Sequence, residues 1–209
     1  MKAKKTKTQN FYDRIADVHN LVMQINGYRQ SVAKYLRSLD LKIDENSRVL
    51  DAGSGTGIVT SAFYSAGFRP RVTVALDLSF NLLKVSREEI EKDADAGRAA
   101  PVQGNILEFP FADETFDLVL TCGVLEYVPL DDGLREMARV MRPGARLVLI
   151  PVKPSAVGSV LEILYKFKTH PVESVRDTSR KYFNIVGDYQ FPITEPIGWS
   201  KMIFLLEKK

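Results

Sequence analysis

The sequence is poor in the residues that form disulfides and hold metals. It has one cysteine and two histidines among 209 residues, so an internal disulfide and a cysteine-ligated metal cage are both excluded. His19 and His170 stand far apart without further ligands clustered beside them, and we predict no metal. No apolar run approaches the roughly 18–20 residues that cross a membrane. No apolar run follows the N-terminal lysines as in a secretory signal, so we expect a cytoplasmic protein without a transmembrane segment.

The charge balance is too even to indicate a nucleic-acid partner. Lys and Arg total 29 against 26 Asp and Glu, a formal net charge of +3, which makes nucleic acid an unlikely partner. Residues 1–9 contain four lysines and are expected to form a disordered basic tail. Residues 10–209 have ordinary globular composition and are expected to form a single domain. The sequence gives no prediction of oligomeric state.

Hydrophobic spacing predicts an α/β domain with a doubly wound, mostly parallel, seven-stranded sheet. Short continuous apolar runs are typical of strands that are buried on both faces, and helical spacing separates several of them. The predicted strands cover 48–51, 72–76, 101–103, 116–120, 146–150, 184–190 and 201–207. The predicted helices cover 58–66, 80–96, 134–141 and 157–167, with two more over 11–41 that Gly27 separates. The last two strands should pair as an antiparallel hairpin.

The first strand runs into a glycine-rich turn, Asp51 to Gly57, that suits a nucleotide. Alternating glycines let the backbone turn sharply and approach a ligand without a Cβ in the way, and the next helix offers free N–H groups to an anion. Strand two ends at Asp77, where a carboxylate can accept hydrogen bonds from both hydroxyls of a ribose. Asn105 follows strand three, where an amide suits adenine. Together these strand ends predict a pocket for an adenosine-containing ligand.

Two other nucleotide-binding motifs do not fit. The turn has the spacing G-x-G-x-G and lacks the third glycine of G-x-G-x-x-G, which disfavours an NAD-dependent oxidoreductase. No Gly-Lys-Ser/Thr follows it, so a P-loop is excluded.

Four ordered segments resemble the class I S-adenosylmethionine-dependent methyltransferases, and most closely the ubiquinone/menaquinone-biosynthesis type. The segments are VLDAGSGTG at 49–57, ALDLS at 75–79, GNILEFPFADETFDLVL at 104–120 and LREMARVMRPGARLVL at 134–149. The run FYDRIADVHN at 11–20 is similar to the N-terminal segment of that family. The resemblance implies a Rossmann-like methyltransferase fold. It also implies methyl transfer from S-adenosyl-L-methionine to a small-molecule or lipid acceptor by in-line displacement, with S-adenosyl-L-homocysteine as the product.

The resemblance also implies where the cofactor binds. Asp51 would lie near the amino group of its methionine part, and Cys122 would border the path to the sulfonium. Residues 10–45 would form a helical lid, and residues 151–183 an acceptor-side insert. The expected cofactor-binding residues are Tyr12, Asp51, Gly53, Gly55, Gly57, Asp77, Leu78, Asn105, Ile106 and Cys122. Asn105 stands where the family usually has Asp, which makes a rearranged adenine contact the expectation.

Glu126, Tyr127 and His19 are the candidates for catalysis on the acceptor side. Glu126 and Tyr127 follow strand four and are expected to face the reaction space, whereas His19 belongs to the lid. A general base is needed only if the acceptor loses a proton in the step. For Glu126, capping of the next helix or pairing with an arginine is the alternative. The alternative for the whole chain is a methyltransferase-fold scaffold or partner subunit without activity, although the intact glycine turn and Asp77 favour an enzyme.

Overall fold

A computed structural model describes residues 27–91 and 99–209 of the chain. The predictions made for Tyr12, for His19 and for the tail at 1–9 lie outside these described residues, as do residues 10–26 of the lid predicted at 10–45 and residues 92–96 of the helix predicted over 80–96. Within the described ranges, no helix combines the length and the apolar character needed to cross a membrane.

Strands and helices alternate along the first two thirds of the described chain. The strands are β1 Arg48–Ala52, β2 Val72–Asp77, β3 Ala99–Gln103, β4 Phe116–Cys122, β5 Met141–Ile150, β6 Phe183–Gln190 and β7 Met202–Lys208. The helices are α1 Tyr28–Ser38, α2 Ile58–Ser65, α3 Phe80–Glu91, α4 Leu130–Val140, α5 Ala156–Tyr165 and α6 Val172–Tyr182. Single 3-10 turns lie at Leu125–Tyr127 and Pro196–Trp199.

The strands form one seven-stranded sheet in the order β3-β2-β1-β4-β5-β7-β6. Strands β1 to β5 pair in parallel, whereas β7 runs antiparallel to both β5 and β6. The predicted doubly wound sheet with its C-terminal hairpin is therefore confirmed. Because β1 lies between β2 and β4, the connections diverge at the β1–β4 boundary, and this is where open α/β sheets form a crevice for a ligand.

Alternate residues of the central strands supply two cores, one on each face of the sheet. Leu50 of β1 packs in the cluster that includes helix α4, whereas its neighbour Val49 packs in the cluster that includes α1 and α2. Residues that follow one another in a strand point to opposite faces. An apolar residue at every position is therefore what a strand buried on both sides requires.

The structure shifts several of the predicted boundaries and adds one helix. The helix predicted over 134–141 covers Leu130–Val140, and Met141 already begins β5, five residues before the strand predicted at 146. The sequence pattern did not predict this extension, because Pro143 and Gly144 are residue types that suggest a turn. Helix α6 was not predicted, since its sequence VESVRDTSRKY is mostly polar and buries only Val175 and Ser179.

Arg139 of α4 fixes the segment between β3 and β4 that carries Asn105. Its guanidinium donates to the carbonyl oxygens of Phe109 at 3.2 Å and Phe111 at 2.9 Å. It also pairs with Glu136 at 2.7 Å, and Glu136 Oε1 accepts the Phe109 N–H at 2.7 Å. The hydrogen bonds from Arg139 lower the pKa of the Glu136 carboxyl. One side-chain pair thus anchors this loop to the helix behind it.

We predict that Arg139→Lys lowers the free energy of unfolding by about 1–3 kcal/mol, because a single ammonium cannot replace the several directed guanidinium bonds. The loss should be fully present at pH 7. It should shrink below about pH 4, because Glu136, whose pKa is lowered in the folded state, then becomes protonated and the pair is lost in the parent as well. Urea unfolding at both pH values measures it. Arg135→Lys is the control, since within residues 27–91 and 99–209 the ion pair of Arg135 is with Asp132 alone, on the surface; equal losses would contradict the role of Arg139.

Candidate functional site

The main cavity lies where the carboxyl ends of β1, β2 and β4 meet. It is lined by Gly53, Gly55, Asp77, Leu78, Ser79, Leu82, Asn105, Ile106, Cys122, Gly123, Val124, Tyr127 and Val128. Seven of the ten residues expected from the sequence to bind a cofactor are in this lining. Of the other three, Gly57 and Asp51 belong to the same turn and strand, and Tyr12 lies outside the described residues. The structure thus brings together seven expected residues that are up to 69 positions apart in the chain, from Gly53 to Cys122.

The glycine turn is held by backbone hydrogen bonds and close packing, but it stays open at Gly55. The backbone N–H groups of Gly53 and Ser54 donate to the Leu76 carbonyl oxygen at 2.8 and 2.9 Å. A Cβ on Gly53 would collide with the Val124 side chain, whereas a Cβ on Gly55 would meet no described atom within 4 Å. Both residues have positive φ, 73° and 55°, which favours glycine. The turn therefore packs closely on the loop after β4 and leaves space on the cavity side at Gly55.

Asp77 is held by backbone N–H groups on either side. Its Oδ2 accepts from Gly55 N at 2.9 Å and its Oδ1 from Ser79 N at 2.8 Å. Each carboxylate oxygen can accept more than one hydrogen bond, so both can also receive a ligand hydroxyl. The two backbone bonds fix the direction of the carboxylate at the end of β2. A fixed pair of acceptors suits a vicinal diol.

Asp51 lies beneath the turn and is only 1% exposed. Its Oδ2 accepts the Thr60 hydroxyl at 2.6 Å, whereas its Oδ1 has no hydrogen-bond partner among the described residues. Burial raises the pKa of Asp51 to about 7; the hydrogen bonds from Thr60 oppose this, and the charge of Asp77 adds to it. The hydroxyls of Ser54 and Thr56 also lack a partner within the described chain. These groups could satisfy an ammonium and a carboxylate, the two charges of an amino acid.

The adenine side of the predicted site is apolar. Leu78 and Ile106 line the cavity there, and Ile106 is buried. Asn105 is exposed at the rim, and its side-chain oxygen accepts the Leu107 N–H at 3.0 Å. The amide nitrogen of Asn105 is the part that this turn leaves to a ligand. Asn105 therefore shapes its own loop as well as bordering the cavity.

A second cavity adjoins the first and shares Gly53, Gly55, Cys122, Gly123 and Tyr127 with it. Its remaining lining comes from α1, the glycine turn, the start of α2, the segment after β5, and Lys201. These residues are Tyr28, Ser54, Thr56, Ile58, Val59, Val152, Leu161, Tyr165, Phe167 and Lys201. Sequence reasoning missed Lys201, although a lysine at the start of the apolar run MIFLL was a visible signal. Leu161, Tyr165 and Phe167 belong to the insert at 151–183.

Cys122 and Tyr127 stand between the two cavities. The Tyr28 hydroxyl lies 3.0 Å from Cys122 Sγ, and burial raises the pKa of that thiol. A neutral, partly buried thiol is a poor nucleophile, so Cys122 serves as a wall. The Tyr127 ring packs edge-on against Phe167, with centroids 5.4 Å apart, and its hydroxyl donates to the Tyr165 carbonyl oxygen at 3.3 Å. Tyr127 thus links the turn after β4 to the insert.

Glu126 is buried and bonded to the backbone. Its Oε1 accepts the Val152 N–H at 2.5 Å, which joins the turn after β4 to the end of β5. It lines neither of the two cavities but a shallow groove beside them with His170. His170 contacts the Leu125 carbonyl oxygen through Nε2 at 3.0 Å. Neither the helix cap nor the arginine pair considered from the sequence is the partner that Glu126 has.

Comparison with known proteins identifies the family. The family model described as "Methyltransferase domain" matches residues 50–149, the stretch from β1 to β5. An uncharacterised protein of Methanocaldococcus jannaschii is 32% identical over 94% of this chain and 87% of its own length. The ubiquinone/menaquinone biosynthesis C-methyltransferase of Shewanella sediminis is 33% identical over 59% of this chain and 51% of its own length. The chain belongs to the class I S-adenosylmethionine-dependent methyltransferases.

This membership confirms the resemblance seen in the sequence and the enzyme class that it implied. The chain spans about half the length of the quinone-biosynthesis methyltransferase to which it is similar. A solved structure, geranyl diphosphate C-methyltransferase from Streptomyces coelicolor A3(2), superposes with a TM-score of 0.71 over 85% of this chain and 75% of that one. At 15% identity this likeness concerns the fold alone. Among residues 27–91 and 99–209 no group of three or more His, Cys, Asp or Glu could hold a metal ion.

Because the Asp51 pKa is raised to about 7, we predict that Asp51→Asn stabilises this methyltransferase above neutral pH. The folded state holds the Asp51 proton more tightly than the unfolded chain does, so this group makes stability fall as the pH rises from about 4 to 7. Asparagine keeps the bond from Thr60 and carries no charge. Thermal unfolding should show the Tm of the variant, relative to the parent, rising between pH 5 and pH 8.

The matched control for this prediction is Asp117→Asn at the opposite edge of the sheet. Asp117 also accepts a backbone N–H, from Arg48 at 2.8 Å, and it pairs with Arg142. That variant should be no more stable than the parent at pH 8. A Tm difference for Asp51→Asn that does not change between pH 5 and pH 8 would contradict the assigned pKa.

Proposed function

We propose that this protein transfers a methyl group from S-adenosyl-L-methionine to a small-molecule acceptor. The observation that carries the proposal is the convergence at one sheet edge of Asp77, of Asp51, whose Oδ1 has no partner among the described residues, and of the open turn at Gly55. These groups complement a ribose diol, an ammonium and a closely approaching ligand chain. In S-adenosyl-L-methionine all three features occur in one molecule.

The residues of the main cavity fit the parts of that cofactor. Asp77 would accept hydrogen bonds from the ribose hydroxyls, and Leu78 and Ile106 would cover the adenine. Asp51 Oδ1 would face the ammonium of the methionine part, with the hydroxyls of the turn available to its carboxylate. When bound, the cofactor supplies a methyl group that its sulfonium makes electrophilic. The protein therefore need not generate a strong nucleophile of its own.

The task left to the chain is to hold the acceptor atom in line with that methyl group, at a distance of about 3 Å. The second cavity is the place for the acceptor, because it meets the main cavity at Cys122 and Gly123. Leu161, Tyr165 and Phe167 give it an apolar, partly aromatic wall. This wall suits an acceptor with a flat or apolar body. The similarity to a relative named for C-methylation in quinone biosynthesis supports this choice.

Tyr127 is the acceptor-side residue that the geometry favours for a direct role, because it lines both cavities. Glu126 is proposed as a positioning residue, because its hydrogen bond to Val152 N holds the turn in which Tyr127 lies. We keep His19 as a candidate on the strength of the sequence alone.

We predict that Asp77→Ala weakens the binding of S-adenosyl-L-homocysteine at least about tenfold, because the ribose hydroxyls lose a charged acceptor. Asp77→Asn should lose less, since one oxygen remains. Isothermal titration of the parent and both variants measures the effect, and NADH is the control ligand that the parent should not bind. Asp117→Asn, which changes a carboxylate on the opposite edge, should bind S-adenosyl-L-homocysteine like the parent.

The possible failures of this experiment have different meanings. Unchanged affinity in a folded Asp77→Ala variant would overturn the assignment of Asp77 to the ribose. If the parent binds neither ligand, the function itself is contradicted and a methyltransferase-fold scaffold becomes the better account.

A further inference from the structure

Lys201 lines the second cavity, and its charge has no partner within the part of the chain that the structure describes. Lys201 immediately precedes β7, whose antiparallel course starts at the edge where β5 ends. A β-bridge joins it to Val152, and Lys153 N donates to the Ser200 carbonyl oxygen at 2.8 Å. The residue is only 6% exposed. The backbone on both sides thus fixes Lys201 at the carboxyl edge of the sheet, beside the two cavities.

The Lys201 ammonium lies close to Gly123, in the loop that both cavities share. A Cβ on Gly123 would come within 2.5 Å of Nζ, so the glycine leaves the room that this ammonium occupies. The positive charge lowers the pKa of the Cys122 thiol, partly offsetting the effect of burial. Nζ is therefore adjacent to Cys122 and Gly123, the point at which the two cavities meet.

Among the residues that the structure describes, no acceptor lies within hydrogen-bond or ion-pair distance of Nζ. Two acidic groups, Glu126 and Asp51, act electrostatically on the same thiol as Lys201. Glu126 Oε1 is bonded to Val152 N and Asp51 Oδ2 to Thr60, whereas Glu126 Oε2 and Asp51 Oδ1 have no hydrogen-bond partner among the described residues, Lys201 included. Burying an ammonium without a partner is unfavourable. A lysine kept in this state is suited to a ligand that brings the missing negative charge.

We propose that Lys201 binds an anionic oxygen, a carboxylate or a phenolate, on the methyl acceptor. This inference rests on the proposed function, since it assigns the second cavity to the acceptor. Lys201 is the only charged side chain among the described residues that line this cavity, and it does not line the main one. An ammonium at one end and an apolar wall of Leu161, Tyr165 and Phe167 select an acidic molecule with an apolar body.

The anionic oxygen could also belong to the carboxylate of the cofactor, since the same chemistry would attract it to Nζ. The acceptor is the favoured source, because Ser54 and Thr56, glycine-turn residues that also line the second cavity, already offer that carboxylate two hydroxyls without partners in the described chain. Binding of S-adenosyl-L-homocysteine and of 5′-methylthioadenosine, which lacks the amino-acid part, distinguishes the two sources.

The test compares two probes that differ in charge but hardly in shape, 4-hydroxybenzoate and 4-hydroxybenzamide at pH 7. Their affinities are measured by ligand-observed NMR for the protein saturated with S-adenosyl-L-homocysteine, and for the protein alone. The parent should bind the carboxylate at least about tenfold more tightly than the amide, because a buried charge pair adds a charge-assisted hydrogen bond. Lys201→Met should abolish this preference. Lys153→Met, which removes a lysine on the same edge that bonds to Gln190, should retain it.

Each outcome decides the proposal. Lys201→Met should keep its Tm and its affinity for S-adenosyl-L-homocysteine within about twofold, because methionine fills the same space without a buried charge. Absence of carboxylate binding or of preference in the parent would overturn the proposal, whether or not the variant folds. A tenfold loss of S-adenosyl-L-homocysteine affinity in Lys201→Met, with 5′-methylthioadenosine unaffected, would also overturn it and assign Lys201 to the cofactor. Failure of the parent to bind S-adenosyl-L-homocysteine contradicts the proposed function instead, and the probes still report on Lys201 in the protein alone.

Discussion

The buried carboxyl group of Asp51 is the constraint around which the site is arranged. It lies at the end of β1 beneath the glycine turn, with one oxygen bonded to Thr60 and the other without a partner in the described chain. Burial and the nearby Asp77 raise its pKa to about 7, so its charge weakens the fold at neutral pH. A ligand with an ammonium group would relieve this cost. Structural destabilisation at such a position is typical of a binding site.

The turn couples this carboxyl group to the rest of the sheet edge that carries the two cavities. Gly53 packs against Val124 after β4, and Gly55 donates its N–H to Asp77 at the end of β2. The loop after β4 then passes Cys122 and Gly123 and reaches the second cavity, where Lys201 stands. A change in the turn therefore reaches both the cofactor side and the acceptor side. This geometry supports the proposal that carboxylates bind the cofactor and an ammonium group binds the acceptor.

Local sequence patterns determined the sheet and the cofactor side, because strand periodicity and a glycine turn depend on neighbouring residues. Asp77 could be predicted as a candidate site residue because it ends a buried strand. The bond of Glu126 to Val152 N joins positions that are 26 residues apart, and no local pattern indicates it. Lys201 was missed for the same reason, because its place at the site depends on its proximity to Gly123, which lies in the loop after β4. The extension of β5 to Met141 depends on the pairing of Met141 with Phe116 of β4. Pro143 and Gly144 lie in the register shift between that pair and the next one, Leu118 with Arg146, so no local pattern indicates the extension.

The central claim is that Asp51 takes up the charge of a bound ammonium group, and proton release tests it most directly. Isothermal titration of the protein with S-adenosyl-L-homocysteine at pH 7, in two buffers of different ionisation enthalpy, counts the protons that binding sets free. A carboxyl group with a pKa of about 7 is about half protonated there and should ionise beside the ammonium, so roughly half a proton should leave per ligand bound. Asp51→Asn should release none. Binding of S-adenosyl-L-homocysteine by the parent with no net proton release would contradict the account.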